Sequence, residues 1–453
     1  MKIDINPCIS TRAYKTDSAL SFILNENRRI YYLLKGKISK LWGAVTELKD
    51  YEKILIYAKE NGLADELLPF LAELKQKGII EADILPANSE DKYLTYVVSM
   101  DDKENFYFFT NLLNGFFIKN NLLSKLSLQL SYKCNLVCKH CFNPKDMDKY
   151  EISFETAKNI IDEAYRLGIT TVGFTGGECT IHKDFLKIAE YARKKYLSLT
   201  ILTNAQRLYD DDFFRKFVSF FYGQVQISLY SMNSDVHDYI TGVKGSHKKT
   251  LRVIKKLVEN NVKTVINSVQ LKFNKNDYTE VRKFADSIGV LFKTSSYFLD
   301  NKENHNSYVQ ISNKEIEEFY LDNLKNGAEK RLEFKKDKGM ICNNGGTLLL
   351  NVSPKLDITP CNDFNYSFGN YKDISITEVW NNIIPKFRRE FIRENLKECF
   401  KYEYCRYCGY CPKAVMFDTG FMKKSPAACT HAKAYYNALL HLQSSKNDSV
   451  QAD

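Results

Sequence analysis

Nothing in this chain suits it to a membrane. No apolar run approaches the roughly 20 residues that cross a bilayer. The opening stretch, MKIDINPCISTRAYK, lacks the apolar centre of a secretion signal. Both absences predict a cytoplasmic protein with no membrane partner. No internal repeat or low-complexity tract stands out either, which excludes solenoids and biased linkers. In a reducing compartment, twelve cysteines point to metal ligation rather than disulfides. What is present fits a globular protein: 44% hydrophobic and 26% charged residues over 453 positions, enough for two or three domains. The formal net charge of +10 suits an acidic partner, peptide or nucleic acid, as well as a solvated basic surface.

Residues 1–84 read as a small winged-helix unit. LSFILNENRRIYYLLKG is a hairpin around a polar turn. Three short helices follow in ISKLWGAVTEL, YEKILIYAKENG and LADELLPFLAELKQKG. The last carries an apolar stripe of Leu67, Leu68, Phe70, Leu71 and Leu74, with Gly78 at its C-terminal cap. IIEADI is a closing strand. Such a unit serves dimerisation, nucleic-acid binding or peptide binding. Residues 85–124 form a less regular bridging segment. Residues 125–310 alternate strands and helices about six times, which implies a parallel sheet with helices outside, open or curled into a partial barrel. Residues 311–338 connect to a last part, 339–453, with seven cysteines: Cys342, Cys361, Cys399, Cys405, Cys408, Cys411 and Cys429. It is poor in long periodic segments, as in small units whose fold depends on metal.

Sites on parallel sheets lie at the C-terminal ends of strands. Here SYKCNLVCKHCFNP follows the first strand, GGE the second, TNA the third and SLYS the fourth, so all four converge on one rim. Cys134, Cys138 and Cys141 can wrap one small cluster. A four-iron cluster so held keeps one corner open, and an open metal position signals chemistry. Zinc would need a fourth ligand such as His140 or His182, and His140 lies inside the loop between two ligands. Each short motif alone is weak, since TGG after a strand is mostly a turn and Ser228 mostly ends a strand. Together, in this order, they are strong.

The Cys-x3-Cys-x2-Cys loop and the motifs that follow it resemble the radical S-adenosylmethionine (SAM) enzymes. The resemblance implies a partial (β/α)6 TIM-like barrel. It also implies a [4Fe-4S] cluster on Cys134, Cys138 and Cys141 whose open iron is chelated by S-adenosylmethionine, and a 5′-deoxyadenosyl radical that removes a hydrogen atom. It places Gly176, Gly177 and Glu178 at the methionine amino group, Thr203, Asn204 and Ser228 near the ribose or carboxylate, and His140 at adenine. FGNYKDISITEVWNN and YCGYCPKAVMFDTG, with a final Cys429, resemble the SPASM extension, which carries auxiliary [4Fe-4S] clusters. Two departures stand out: Tyr402 replaces an expected cysteine, with Cys405 as the substitute, and Leu356 replaces a glycine. The resemblance assigns Cys342, Cys361 and Cys411 to one auxiliary cluster and Cys399, Cys405, Cys408 and Cys429 to another. A single cluster, or zinc, with spare thiols is the alternative.

The N-terminal unit, with Trp42 in its first helix, resembles the PqqD-like domain that binds the leader of a ribosomally made precursor peptide as an added strand on the hairpin edge. Arg28, Arg29, Lys75 and Lys77 either meet leader carboxylates or form a solvated basic face. The whole is identified as a radical SAM and SPASM peptide maturase. Its implied partners are a precursor peptide and an electron donor such as a flavodoxin or ferredoxin, with no nucleic acid. The implied product is an intramolecular thioether crosslink. Carbon–carbon crosslinking, epimerisation, or sulfatase-maturase-like oxidation of a protein residue are the alternatives. Cys179, directly after Glu178, either donates a hydrogen atom or is a small residue tolerated at a strand end. Cys8 is expected to be inert, and His182 and His237 to be surface or capping residues.

Overall fold

The computed structural model describes residues 2–14, 20–82, 92–94, 96–100, 103–141, 143, 149–295, 310–326, 335–342, 344–362, 364, 366–412 and 422–450. In the N-terminal part, β1 (Asp4–Ile5) pairs with β5 (Ile80–Glu81). The hairpin forms as β3 (Leu20–Asn25) and β4 (Ile30–Lys35). Every residue of β3 is buried, because helix Gly36–Leu48 covers one face, with Trp42 wholly enclosed and its Nε1 donating to Thr11 Oγ1 at 2.8 Å. Helices Tyr51–Glu60 and Ala64–Gln76 follow as expected.

Two features differ from expectation. The hairpin has no free edge: β2 (Ile9–Tyr14) pairs along β3, and β6 (Tyr96–Ser99) along β4. The bridging segment therefore contributes a strand to the sheet, followed by helix Lys103–Lys119. The expected closing strand, β5, pairs with β1 rather than with the hairpin. Glu73, fully buried, holds residues 92–94 in place by accepting from their backbone amides at 2.7–3.1 Å.

The central strands are β7 (Lys125–Ser131), β8 (Thr171–Gly176), β9 (Ser198–Thr203), β10 (Gly223–Ser228), β11 (Lys263–Val269) and β12 (Leu291–Ser295). They pair in chain order and all in parallel, the topology that strict strand–helix alternation implied. Val172 and Phe174, Leu199 and Ile201, and Val225 and Ile227 are fully buried under the outer helices. The intervening residues, such as Thr171, Gly173 and Thr200, face the lumen. The sheet continues past β7. β13 (Leu349–Val352) joins it in parallel, and β14 (Asp357–Thr359) and β15 (Gly369–Asn370) add antiparallel strands. The cysteine-rich part is thus hydrogen-bonded into the barrel sheet. Helix Pro426–Val450 closes the chain against Asn313–Lys325, where Tyr320 hydroxyl meets His431 Nδ1 at 2.9 Å.

The N-terminal unit docks on the loops that enter the strands. Tyr14 hydroxyl donates to Gly168 O at 2.9 Å, just before β8, and the Thr11 amide to Tyr196 O at 3.1 Å, just before β9. The buried guanidinium of Arg193 reaches Pro7 O, Ile9 O and Ser10 Oγ at 2.7, 3.1 and 2.8 Å. This unit therefore sits at the N-terminal end of the barrel, opposite the cysteine rim.

Candidate active site

The three cysteines leave β7 on a loop whose backbone is fixed from two sides. Val137 and Lys139 amides donate to Thr241 and Ile240 carbonyls at 2.9 Å each, stapling the middle of the loop to the end of helix Ser234–Thr241. Gly242 makes this possible, since at φ +71° a Cβ there would stand 2.7 Å from Val137 O. From the other side, Gly177 and Glu178 amides donate to Ser131 and Lys133 carbonyls at 2.8 Å each. A Cβ on Gly176 would come within 2.3 Å of Ser131 O, and one on Gly177 within 2.2 Å of Lys133 O. The glycines after β8 thus let the cysteine loop lie directly on them.

Within the loop, Cys134 Sγ accepts from the Leu136 amide at 3.4 Å and faces Asn204 Nδ2 at 3.6 Å. The Asn204 amide also donates to Asn135 Oδ1 at 2.7 Å, so the third rim motif grips the first. Burial pushes the Cys134 thiol up to about 11, with Glu178 and Cys141 adding to the shift. Burial raises Cys138 further, reinforced by Cys141 and Cys134, so the three sulfurs share one electrostatic neighbourhood. Among the described residues no three metal-ligating side chains meet as they would around a single ion. A four-iron cube seats each thiolate on its own corner, and three partly accessible sulfurs on one loop suit that. His140 stands over Tyr230 with ring centroids 4.9 Å apart. Its Nδ1 is buried without a partner, and burial drives its pKa down to about 4. A neutral ring with an orphaned nitrogen at the rim suits a ligand that brings a hydrogen-bonding edge. Ser228, ending β10, hydrogen-bonds the buried Tyr230.

Two rim residues turn inward instead. The Glu178 carboxylate is buried and accepts from Thr180 N at 3.0 Å, Thr180 Oγ1 at 2.5 Å, Thr203 Oγ1 at 2.7 Å and Asn204 N at 2.7 Å. Burial raises its pKa, while these four donors pull it back. Glu178 ties the end of β8 to the end of β9, and Thr203 spends its hydroxyl in that tie. Neither side chain is offered to a methionine ammonium or a ribose, which leaves the Gly176–Gly177 backbone and Asn204 as the surfaces exposed there. Cys179 is also wholly buried, with Sγ 3.5 Å from Leu202 O, so it is a core residue and not a hydrogen-atom donor at the rim. His182 and His237 are buried, not on the surface. His182 Nδ1 accepts from the Asp184 amide at 3.1 Å, a capping role, and His237 Nδ1 accepts from the Tyr230 amide at 3.3 Å. Cys8 is buried beside Asn25. The sequence reading missed Asn135, Tyr230 and Gly242. Only Gly242, a glycine just past a helical run, carried a legible signal.

In the C-terminal part, Cys399, Cys405, Cys408 and Cys429, the four that the SPASM resemblance groups together, line one pocket. Cys342 and Cys361 lie on adjoining loops joined by a Gly346 amide to Pro360 O bond of 3.1 Å. Cys411 is not among the residues lining the four-cysteine pocket. The profile of the Radical SAM superfamily matches residues 128–285, and that of SPASM, an iron-sulfur cluster-binding domain, matches residues 342–412.

The chain carries a radical SAM domain followed by a SPASM domain. The Radical SAM superfamily uses S-adenosylmethionine and a [4Fe-4S] cluster, and SPASM domains bind auxiliary clusters. The antilisterial bacteriocin subtilosin biosynthesis protein AlbA of Bacillus subtilis is 25% identical over 310 residues, 63% of this chain and 65% of AlbA. The mycofactocin maturase MftC of Mycolicibacterium smegmatis is 35% identical over 133 residues, 29% of this chain and 33% of MftC. The chain thus spans about two thirds of the one relative and one third of the other. Streptococcus suis SuiB bound to precursor peptide SuiA shares the fold at a TM-score of 0.59 and 16% identity, over 94% of this chain and 99% of SuiB. In this radical SAM fold the cysteine loop occupies the C-terminal rim of the barrel and the N-terminal unit the opposite end.

Proposed function

We propose that this radical SAM enzyme modifies a ribosomally made precursor peptide and forms a thioether within it. Cys134, Cys138 and Cys141 hold the first cluster, Gly176 and Gly177 border the cofactor's methionine amino group, Asn204 and Ser228 its ribose or carboxylate, and His140 its adenine. When bound, the cluster and S-adenosylmethionine supply a 5′-deoxyadenosyl radical that takes a hydrogen atom from the peptide. The reaction balances: one thiol S–H and one C–H are lost and an S–C bond forms. S-adenosylmethionine leaves as methionine and 5′-deoxyadenosine, one proton is released, and the electron that starts the cycle is returned. A flavodoxin or ferredoxin is the class of donor that supplies it.

The observation that carries the peptide reading is the arrangement of the ends. The N-terminal unit sits at one mouth of the barrel and the cysteine loop at the other, and Cys361 lines the lumen between them. The set Cys342, Cys361 and Cys411 provides three thiolates for a four-cornered cluster, which leaves one corner for a peptide thiolate. The PqqD-like reading of the N-terminal unit supplies leader binding. Because both hairpin edges are already paired and the outer side of β2 docks on the barrel loops, a leader strand adds on the outer strand β6 and not on the hairpin itself. A leader held there tethers the core peptide at raised effective concentration.

Co-expression with candidate precursor peptides from short open reading frames near this gene, followed by mass spectrometry, tests the reading. The expected product lacks two hydrogen atoms per bond and one alkylatable thiol. Replacing Cys134, Cys138 and Cys141 together with Ala should abolish 5′-deoxyadenosine formation. Unchanged turnover in that variant would refute the cluster assignment, and a mass loss with every thiol still alkylatable would refute the thioether.

A further inference from the structure

The cysteine loop turns one side to solvent. Val137, three residues after Cys134 and next to Cys138, is 70% exposed, the most of any large hydrophobic side chain among the described residues. Its backbone is fixed, because the Val137 and Lys139 amides are the two stapled to helix Ser234–Thr241. Tyr239, half exposed on that helix, carries the Lys139 ammonium 4.2 Å from its ring centroid and rests edge-on against Phe273 at 5.0 Å. Cations surround these two apolar groups. Residues 133–139 and 239–253 contain no carboxylate, but they hold Lys133, Lys139, Lys244, Lys248, Lys249 and Arg252. Lys244, Lys248 and Lys249 are exposed and form no ion pair among the described residues. Nearby carboxylates are mostly spent. Asp238 accepts from Gly245 N, Ser246 Oγ and His247 N at 2.5, 2.9 and 2.8 Å. Asp211 pairs with Arg252 at 3.3 Å and Lys256 at 2.7 Å, and Asp210 caps the Phe213 amide at 2.8 Å. Asp235 is the one exposed carboxylate of helix Ser234–Thr241. A hollow of about 460 Å³, in whose lining Asp210 and Asp211 also stand, joins Asn135 of the cysteine loop to Lys249 and Arg252.

We propose that this face, Val137 and Tyr239 ringed by Lys139, Lys244, Lys248 and Lys249, docks the electron donor, and that the donor is an acidic flavodoxin. This rests on the cluster reading above and names where the electron enters. Electron transfer between proteins falls steeply with distance, so the carrier has to approach the cluster ligands themselves, and Val137 lies between two of them. An exposed apolar patch rimmed by charge marks an interaction surface. Opposite charges steer the encounter and fix its orientation, while the apolar centre excludes water. A flavin offers its partner an apolar ring edge, which Val137 and Tyr239 match. An iron–sulfur carrier offers polypeptide instead, and duplex DNA would meet the cations but has no use for an exposed valine. The step is one electron, lost by the reduced flavin and gained by the cluster, and no atom is transferred.

The test measures binding and electron transfer separately on reconstituted full-length enzyme. Titration calorimetry with an acidic flavodoxin should give saturable binding that weakens about tenfold between roughly 50 and 300 mM salt. K244E/K248E/K249E should weaken binding about tenfold at the lower salt, with its iron content and melting temperature kept to within a few degrees of the parent. K244Q/K248Q/K249Q should weaken it less, in step with the smaller change of charge. Y239S should weaken it with the salt dependence kept, as loss of an apolar contact requires. K40E/K53E/K59E makes the same change of charge on exposed lysines of the N-terminal unit, and should bind flavodoxin as the wild type does. In stopped flow, reduced flavodoxin should reduce the cluster more slowly in K244E/K248E/K249E, while dithionite should still reduce it to the same extent. Flavodoxin bound equally by the wild type and that variant, or by neither, overturns the docking face. Binding of a ferredoxin or of duplex DNA in place of flavodoxin overturns it too. In each case a cluster that dithionite reduces leaves the cluster reading standing. A wild type that gives no reduced-cluster EPR signal with dithionite overturns the cluster reading and this inference together.

Discussion

At the scale of single residues, backbone contact decides where chemistry can sit. Gly177 lies so close to Lys133 O and Tyr132 O that a methyl group would meet them at 2.2 and 2.4 Å. Backbone oxygens already fixed by hydrogen bonds cannot give way. G177A should therefore push the cysteine loop off its seat and lose about four irons per chain, with auxiliary iron retained. Iron analysis and EPR on the anaerobic protein check this, and loss of all iron together would instead mean collapse. Lys125 makes a prediction of the opposite sign for stability. Its folded-state pKa is lowered, so the folded protein binds this proton less tightly than the unfolded chain does. The folded state is accordingly penalised while the ammonium persists, and stability recovers as pH rises through the depressed pKa toward 10.5. K125M should be more stable than the wild type near neutral pH, by an amount that solvent screening keeps small, and that advantage should shrink toward pH 10, as read by denaturant unfolding. The inward turn of Glu178 and Thr203 was not legible, because a GGE or TNA motif fixes where the backbone goes but not to which side of the loop a carboxylate swings.

At the scale of elements, alternation was the readable signal. Six strands and their order followed from it because each strand buries apolar residues on one face under its own helix. The contribution of β6 was hidden, since four residues in a segment of mixed polarity carry no period long enough to read. β13 was hidden for another reason: its partner β7 lies far away in sequence, and local pattern does not encode long-range pairing. Leu356, in the turn between β13 and β14, holds φ +72°, the left-handed region where glycine is favoured. The departure from the family's glycine was visible in the sequence, and the backbone kept the glycine-like conformation. L356G should consequently be more stable than L356A by about 1 kcal/mol, the reverse of their order at an ordinary helical site. Equal unfolding midpoints would show that the turn relaxes. Arg193 is the counterpart at the domain junction. It is buried, and its guanidinium satisfies three groups of residues 7–10 as well as Leu197 O at 2.6 Å. R193A should cost about 3 kcal/mol and make the first 82 residues releasable by brief proteolysis, seen as a discrete smaller band.

At the scale of the whole molecule, the three parts enclose one path. The N-terminal unit caps one mouth, the cysteine loop the other, and the SPASM part closes the β7 flank and presents Cys361 to the lumen. Deleting residues 1–82 should weaken capture of a full-length precursor at least tenfold, with slow uncoupled 5′-deoxyadenosine formation persisting. Both are measured on the same reconstituted sample. The rim site was legible because its four motifs each follow a strand. The place of Cys361 on the lumen was not, because it follows from the long-range pairing of β13 with β7.

The pairing of β13 with β7 has a consequence for how the protein is made. A ribosome releases the first barrel strand early and its outer neighbour only after the whole barrel has emerged. Until then the nascent β7 presents an unmatched row of amides and carbonyls to the cell, so a chain terminated before residue 349 should precipitate rather than persist as a free catalytic core.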